Sequence, residues 1–186
     1  MKVRELMTSP VHTCRTDESL AKAAERLWQH DCGVLPVVDR DGKVTAMLTD
    51  RDVCMGAWTR GARLDQVRVA DTMSKTLVSC RADDELATAA DTMATHQLHR
   101  LPVVDNDGKP IGIVSLNDLA VAAERDSQAG RQALRVLTAV CRRRETTAAT
   151  TQRAISPILI PASQPSATVP TPKTATTPGK SASAGA

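Results

Sequence analysis

The chain contains no phenylalanine and no tyrosine, and its only large aromatics are Trp28 and Trp58. That lack argues against a single-stranded nucleic-acid binder of the stacking type, which needs aromatic platforms for successive bases. Any core has to be assembled from Val, Leu, Ile, Met and Ala. No apolar run approaches the roughly 20 residues of a membrane span. The five cysteines, Cys14, Cys32, Cys54, Cys80 and Cys141, are an odd set without a CxxC spacing. They do not read as a disulfide framework, and a reducing cytosol is the simple reading. Val3 already belongs to the first structural unit, which leaves no room for a signal peptide, so a cytoplasmic location is expected. No glycine-rich phosphate loop and no cluster of nucleophile, base and acid is present, so the chain does not read as an enzyme. At 186 residues it is also too short for an eight-fold β/α barrel of about 250 residues.

What is present divides into two polymers. Residues 145–186 hold six of the ten prolines and 23 Ser, Thr or Ala, with only Glu145, Arg153, Lys173 and Lys180 charged. Such a segment cannot bury enough apolar surface to offset its ordering entropy, so a disordered tail is expected. Charge is uneven too. Residues 1–125 carry a net −3, residues 126–144 a net +4, and the tail a net +2. The basic character is a C-terminal property, which argues against a nucleic-acid face on the main fold.

An internal repeat organises the foldable part. A shift of 66 residues lays residues 3–53 over residues 69–119 without a gap, with 19 of 51 positions identical. The strongest block is Leu35-Pro36-Val37-Val38-Asp39 over Leu101-Pro102-Val103-Val104-Asp105, each followed by Asp-Gly-Lys. Units of this size are at the lower limit of independent folding, so two copies sharing a core are expected.

Each repeat reads as strand, helix, strand, hairpin turn, strand, helix, an α/β (α+β) arrangement. In the first, residues 11–15 form a short strand, and residues 17–29 show helical periodicity through Leu20, Ala23, Ala24 and Leu27. Residues 34–38 and 43–49 pair across the Asp41-Gly42 turn, and Asp50 opens a second helix. The second repeat follows suit with strands at 77–81, 101–105 and 111–115 and helices at 84–96 and 116–124. The expected boundaries are 2–60 for the first repeat, 61–68 for a linker, 69–125 for the second repeat and 126–144 for a basic segment. That segment carries a helix over 132–144, with Leu134, Leu137, Val140 and Cys141 at helical spacing. It reads as a cap packed on the repeats, its arginines favoured near the C-terminus by the helix dipole.

Thr49-x-x-Asp52 and Ser115-x-x-Asp118 each place a hydroxyl at a strand end and a carboxylate one turn into a helix. A carboxylate can accept from both hydroxyls of a ribose, and a hydroxyl beside free helix N–H groups suits a phosphate. The same residues also suit plain helix capping.

The paired Leu-Pro-Val-Val-Asp blocks, each followed by a hairpin and Thr/Ser-x-x-Asp, resemble CBS domains in tandem, a Bateman module. The stretch Met47-Leu48-Thr49-Asp50-Arg51-Asp52 is similar to bacterial stand-alone two-CBS proteins of the hypoxic-response type. The resemblance implies two small sheets with flanking helices, related by a pseudo-two-fold axis. It implies a homodimer that senses an adenosine ligand such as AMP, ADP or ATP and signals to a partner protein. It also implies two clefts shared between repeats. One would combine Thr49, Arg51 and Asp52 with Val78, His99 and Arg100. The other would combine Ser115 and Asp118 with His12, Gly33 and Val34. The clefts are chemically unequal: Asn117 stands in place of Arg51, and Gly33-Val34 in place of His99-Arg100. A phosphorylated nucleotide is therefore expected in the first.

Two other readings stand beside this one. His12-Thr13-Cys14 and His30-Asp31-Cys32 could contribute to a metal or redox site, although zinc needs about four converging ligands. Alternatively the pair is a ligand-free interaction module. Trp28 and Trp58, which have Ala94 and Glu124 as counterparts, read as packing or interface residues.

Overall fold

The Asp-x-Asp-Gly-Lys signature builds the same hairpin twice. Asp39 Oδ1 accepts from the N–H groups of Asp41 and Lys43, both at 2.9 Å. Asp105 Oδ1 does the same for Asp107 at 2.9 Å and Lys109 at 2.8 Å. Gly42 and Gly108 turn the chain at φ 78° and 80°, a region closed to most side chains. In the first repeat the hairpin joins β2 (Val34–Val38) to β3 (Val44–Thr49). In the second it joins β5 (Arg100–Val104) to β6 (Pro110–Ser115). Both pairs are antiparallel and carry an irregularity at equivalent places, Val37/Val38 and Val103/Val104. A short parallel strand completes each three-stranded sheet: β1 (Cys14–Arg15) beside β2, and β4 (Cys80–Arg81) beside β5. This computed structural model describes residues 1–142; the expected tail and the last residues of the basic segment lie outside the described residues.

The helices are α1 (Leu20–Gln29), α2 (Asp50–Arg60), α3 (Leu86–His96), α4 (Leu116–Ala122) and α5 (Ser127–Cys141). Several boundaries of helices and strands differ from those expected, and three of them have a cause in the local hydrogen bonding. The helix expected from residue 17 begins at Leu20, because Ser19 caps it and Glu18 turns back to the N–H of Arg15 and to the Arg26 guanidinium. The helix expected over 132–144 begins five residues earlier, where Asp126 accepts from Gln128 N–H at 2.7 Å. The strand expected over residues 11–15 shrinks to Cys14–Arg15. The chain before it is drawn to the other repeat, where Thr8 pairs with Ile113 and Ser9 Oγ donates to the Ile111 carbonyl.

That diversion is part of a reciprocal exchange. Val3 and Arg4 donate to the carbonyls of Asp84 and Ala82, each at 3.0 Å, and Thr8 to Ile113 at 2.8 Å. Sixty-six residues later, Val69 and Ala70 donate to Glu18 and Thr16, and Ser74 donates to Met47. Each repeat's leading segment thus docks on the other repeat. Val3 is fully buried in the core of the second repeat with Leu101, Val103 and Met93, while Val67 and Val69 lie in the core of the first with Leu35, Val37 and Leu48. Residue 67, expected in a linker, is core. Helix α5 packs on α3 and α4, burying Ala129 and Val136.

Burial has a chemical consequence for two cysteines. Desolvation pushes the thiols of Cys14 and Cys80 up from 9.0 to about 12. Between those values the unfolded thiols ionise while the folded ones stay protonated, so the unfolded chain binds fewer protons. The stability these two buried thiols contribute is therefore full below pH 9 and declines as pH rises through the window from 9 to about 12. Urea midpoints at pH 8 and pH 10.5 should fall in that order. A thiol reagent at pH 8 should label exposed Cys54 and Cys141 well before Cys14 and Cys80, and equal rates would contradict the burial.

Candidate ligand-binding cleft

The exchanged segments bring the first motif face to face with the second repeat. Because Ser74 donates to the Met47 carbonyl and its Oγ accepts from Met47 N–H at 2.9 Å, the stretch leading to Val78 runs along the end of β3. A cleft of about 860 Å3 opens there. Thr49, Arg51 and Asp52 line it from one repeat, and Val78, His99 and Arg100 from the other. These are the six residues expected to form the first site. Its volume falls within the rough 300–1,000 Å3 of small-molecule pockets.

The motif itself is a capping box. Thr49 Oγ1 accepts from Asp52 N–H at 3.1 Å, while Asp52 Oδ2 accepts from Thr49 N–H at 2.9 Å and Thr49 Oγ1–H at 2.7 Å. Ser115 and Asp118 repeat this with distances of 3.2, 2.7 and 2.6 Å. The capping role is therefore real in both copies, and it leaves Asp52 Oδ1 without a protein partner among the described residues. Capping fixes the carboxylate rather than consuming it. Two acceptor lone pairs stay available on a half-buried group at a helix start, and the adjoining Arg51 and Arg100 guanidinium groups make no ion pair or hydrogen bond among the described residues. Unpaired guanidinium groups beside an ordered carboxylate suit a ligand with both hydroxyls and phosphate.

Not every expected residue sits where the resemblance implied. Val34, expected in the second cleft, lines the first. Val34 is the cross-strand partner of Thr49, which sets it beside the motif of its own repeat, while Arg100, paired alike with Ser115, enters the same cleft from the second repeat. Gly33 faces the same junction, since a Cβ built on it would lie 3.4 Å from Asp50 Oδ2 and 3.5 Å from an Arg100 guanidinium nitrogen. His12 stacks on His30, ring centroids 3.4 Å apart and 7° from parallel. Among the described residues no three His, Cys, Asp or Glu side chains are gathered as a metal site needs. The cleft also contains residues that neither the repeat nor the resemblance pointed to: Met47, Ser74, Thr76, Gln97 and Leu98, and Val140, Cys141 and Arg142 from the end of α5. Ser74 and Thr76 could have been found from the repeat, had the exchange of leading segments been foreseen. The α5 residues carry no such signal. Trp28 and Trp58 lie outside the cleft, 88% and 60% exposed, so neither is a core-packing residue.

Comparison with known proteins agrees with this architecture. The family profile described as CBS domain matches residues 3–56 and 69–125. The CBS domain-containing protein YhcV of Bacillus subtilis is 39% identical over 128 residues, which is 69% of this chain and 89% of that protein. The crystal structure of Hypoxic Response Protein I with two coordinated zinc ions superposes with a TM-score of 0.59 at 26% identity, over 65% of this chain and 98% of that one. A CBS domain protein from Pyrobaculum aerophilum complexed with AMP gives a TM-score of 0.62 at 19% identity, over 72% of this chain and 98% of that one, a likeness of fold. With the profile matched twice, on two sheets built alike from the two halves of one internal repeat, the chain belongs to the CBS-domain family as a tandem pair.

Proposed function

We propose that the chain is a regulatory rather than catalytic module that binds a phosphorylated adenosine ligand in the cleft at Thr49 and Asp52. The observation that carries this reading is the convergence on one cleft of Thr49, Arg51 and Asp52 from one repeat with Val78, His99 and Arg100 from the other. Asp52 Oδ1 would accept from the ribose hydroxyls, and Arg51, Arg100 and His99 would face phosphate. With no Phe or Tyr in the chain, the adenine would rest on aliphatic surface such as Val34, Met47 and Val78. Ser115 and Asp118 form the weaker counterpart, because Asn117 there offers no cation in place of Arg51.

A ligand that touches both repeats has different contacts when they shift, so it biases their arrangement, and a partner protein can read that bias. The AMP bound by the Pyrobaculum aerophilum protein guides the choice of ligands for testing. Self-association into a homodimer belongs to the same proposal, supported by Trp28, Met55 and Trp58 exposed on the helices of the first repeat.

The test is a thermal-shift series with AMP, ADP, ATP, S-adenosylmethionine and NADH, followed by calorimetry on any ligand that stabilises. At a hundred times Kd a ligand adds about 2.7 kcal/mol, which is a shift of several degrees in Tm. One strong phosphorylated ligand per chain is expected. Equal occupancy of two clefts by AMP would overturn the asymmetry, and no shift with any of the five would favour a ligand-free interaction module.

A further inference from the structure

Helix α5 has no counterpart in the first half of the internal repeat, and it lies outside the residues matched by the family profile. Its final turn nevertheless forms one wall of the cleft, through Val140, Cys141 and the following Arg142. This placement is built rather than incidental. Ala129 and Val136 are buried beneath the helix, and Gly130 lies against Ala123, where a Cβ would stand 3.3 Å from the Ala123 methyl. At the other end, the side-chain amide of Gln97 donates to the Ala139 carbonyl at 2.9 Å and to the Arg142 carbonyl at 3.3 Å. These satisfy carbonyls that the helix end leaves without intrahelical partners. Gln97 ends α3 in the left-handed region, at φ 52°, and leads directly into Leu98, His99 and Arg100. One side chain thus ties the end of α5 to the segment that presents His99 and Arg100.

Arg142 adds a third guanidinium to a cleft that already has Arg51 and Arg100, together with His99 and a single carboxylate, Asp52. Among the described residues the Arg142 side chain has no ion pair or hydrogen bond. Each guanidinium can engage two phosphate oxygens in a fork. Three guanidinium groups against a single carboxylate carry more positive charge than one phosphate group, at about −2, balances, and they match the larger charge of a chain of two or three.

Building on the proposed adenosine site, we infer that the C-terminal helix completes the cleft and that Arg142 makes it selective for a nucleoside di- or triphosphate over the monophosphate. The test uses the full chain. Calorimetric titrations with AMP, ADP and ATP are compared for the wild type and Arg142→Ala. The wild type should prefer ATP to AMP by about tenfold or more, as a lost charge-assisted contact implies, and the substitution should collapse that ratio towards one. As a second readout on the unmodified protein, ATP should slow alkylation of Cys141 and leave that of Cys54, exposed on α2 away from the cleft, at its own rate. Binding with an ATP-to-AMP ratio unmoved by Arg142→Ala, or with Cys141 unprotected, would overturn this inference and leave the adenosine site standing. Failure of the wild type to bind any of the three nucleotides would overturn both.

Discussion

Asp52→Ala is expected to weaken binding of a phosphorylated adenosine ligand by about a hundredfold or more. The carboxylate would contact two ribose hydroxyls through Oδ1, and each hydrogen bond to a charged group is worth about 1.5–3 kcal/mol. The same substitution removes the acceptor of Thr49 N–H and Thr49 Oγ1–H, so it should also cost the fold about 1 kcal/mol. Asp52→Asn separates the two effects. An amide oxygen can still accept from Thr49, which keeps the cap, while its nitrogen donates where the ligand needs an acceptor. Both variants should lose the binding response in a calorimetric titration. Only the alanine variant should also lose several degrees of Tm. A variant that keeps wild-type affinity would remove Asp52 from the site.

Leu101→Ala is expected to lower the unfolding free energy by about 2–5 kcal/mol, the range for emptying a buried leucine site. Leu101 is fully buried in the core of the second repeat, where Val3 from the other end of the chain packs as well. Because each repeat holds the leading segment of the other, the loss should not stay local. Urea unfolding should remain a single transition, displaced as a whole, and Leu35→Ala in the other core should behave alike. Two resolved transitions, one at the wild-type midpoint, would show instead that the repeats unfold independently.

Much of this architecture is legible in the sequence, because the repeat reports the same local physics twice. Leu35-Pro36-Val37-Val38-Asp39 and its copy announce a buried strand and the Asp-capped hairpin after it, and the hairpins form as expected. The motifs Thr49-x-x-Asp52 and Ser115-x-x-Asp118 are local too, closed within four residues, so spacing alone locates them. What spacing cannot reveal is which repeat a segment joins. Val3 and Val69 occupy equivalent places in the sequence, yet each is buried in the other's half, since hydrogen bonding to residues 84 and 18 decides their side. Pairing with Thr49 likewise sets Val34 beside the motif of its own repeat, a cross-strand relation that a list of aligned positions does not express. The end of α5 was invisible for a different reason. Its role depends on the docking angle set by Ala129, Gly130 and Val136 against the second repeat, and no second copy exists to signal it.

Amide hydrogen exchange of the full chain, with and without the nucleotide that stabilises it most, tests the central claim most directly. A ligand held between the repeats should slow exchange at residues 49–52 and 97–100 together, while the Ser115 motif changes less. Protection confined to one repeat, or protection centred on Ser115 and Asp118, would contradict a shared cleft at Asp52.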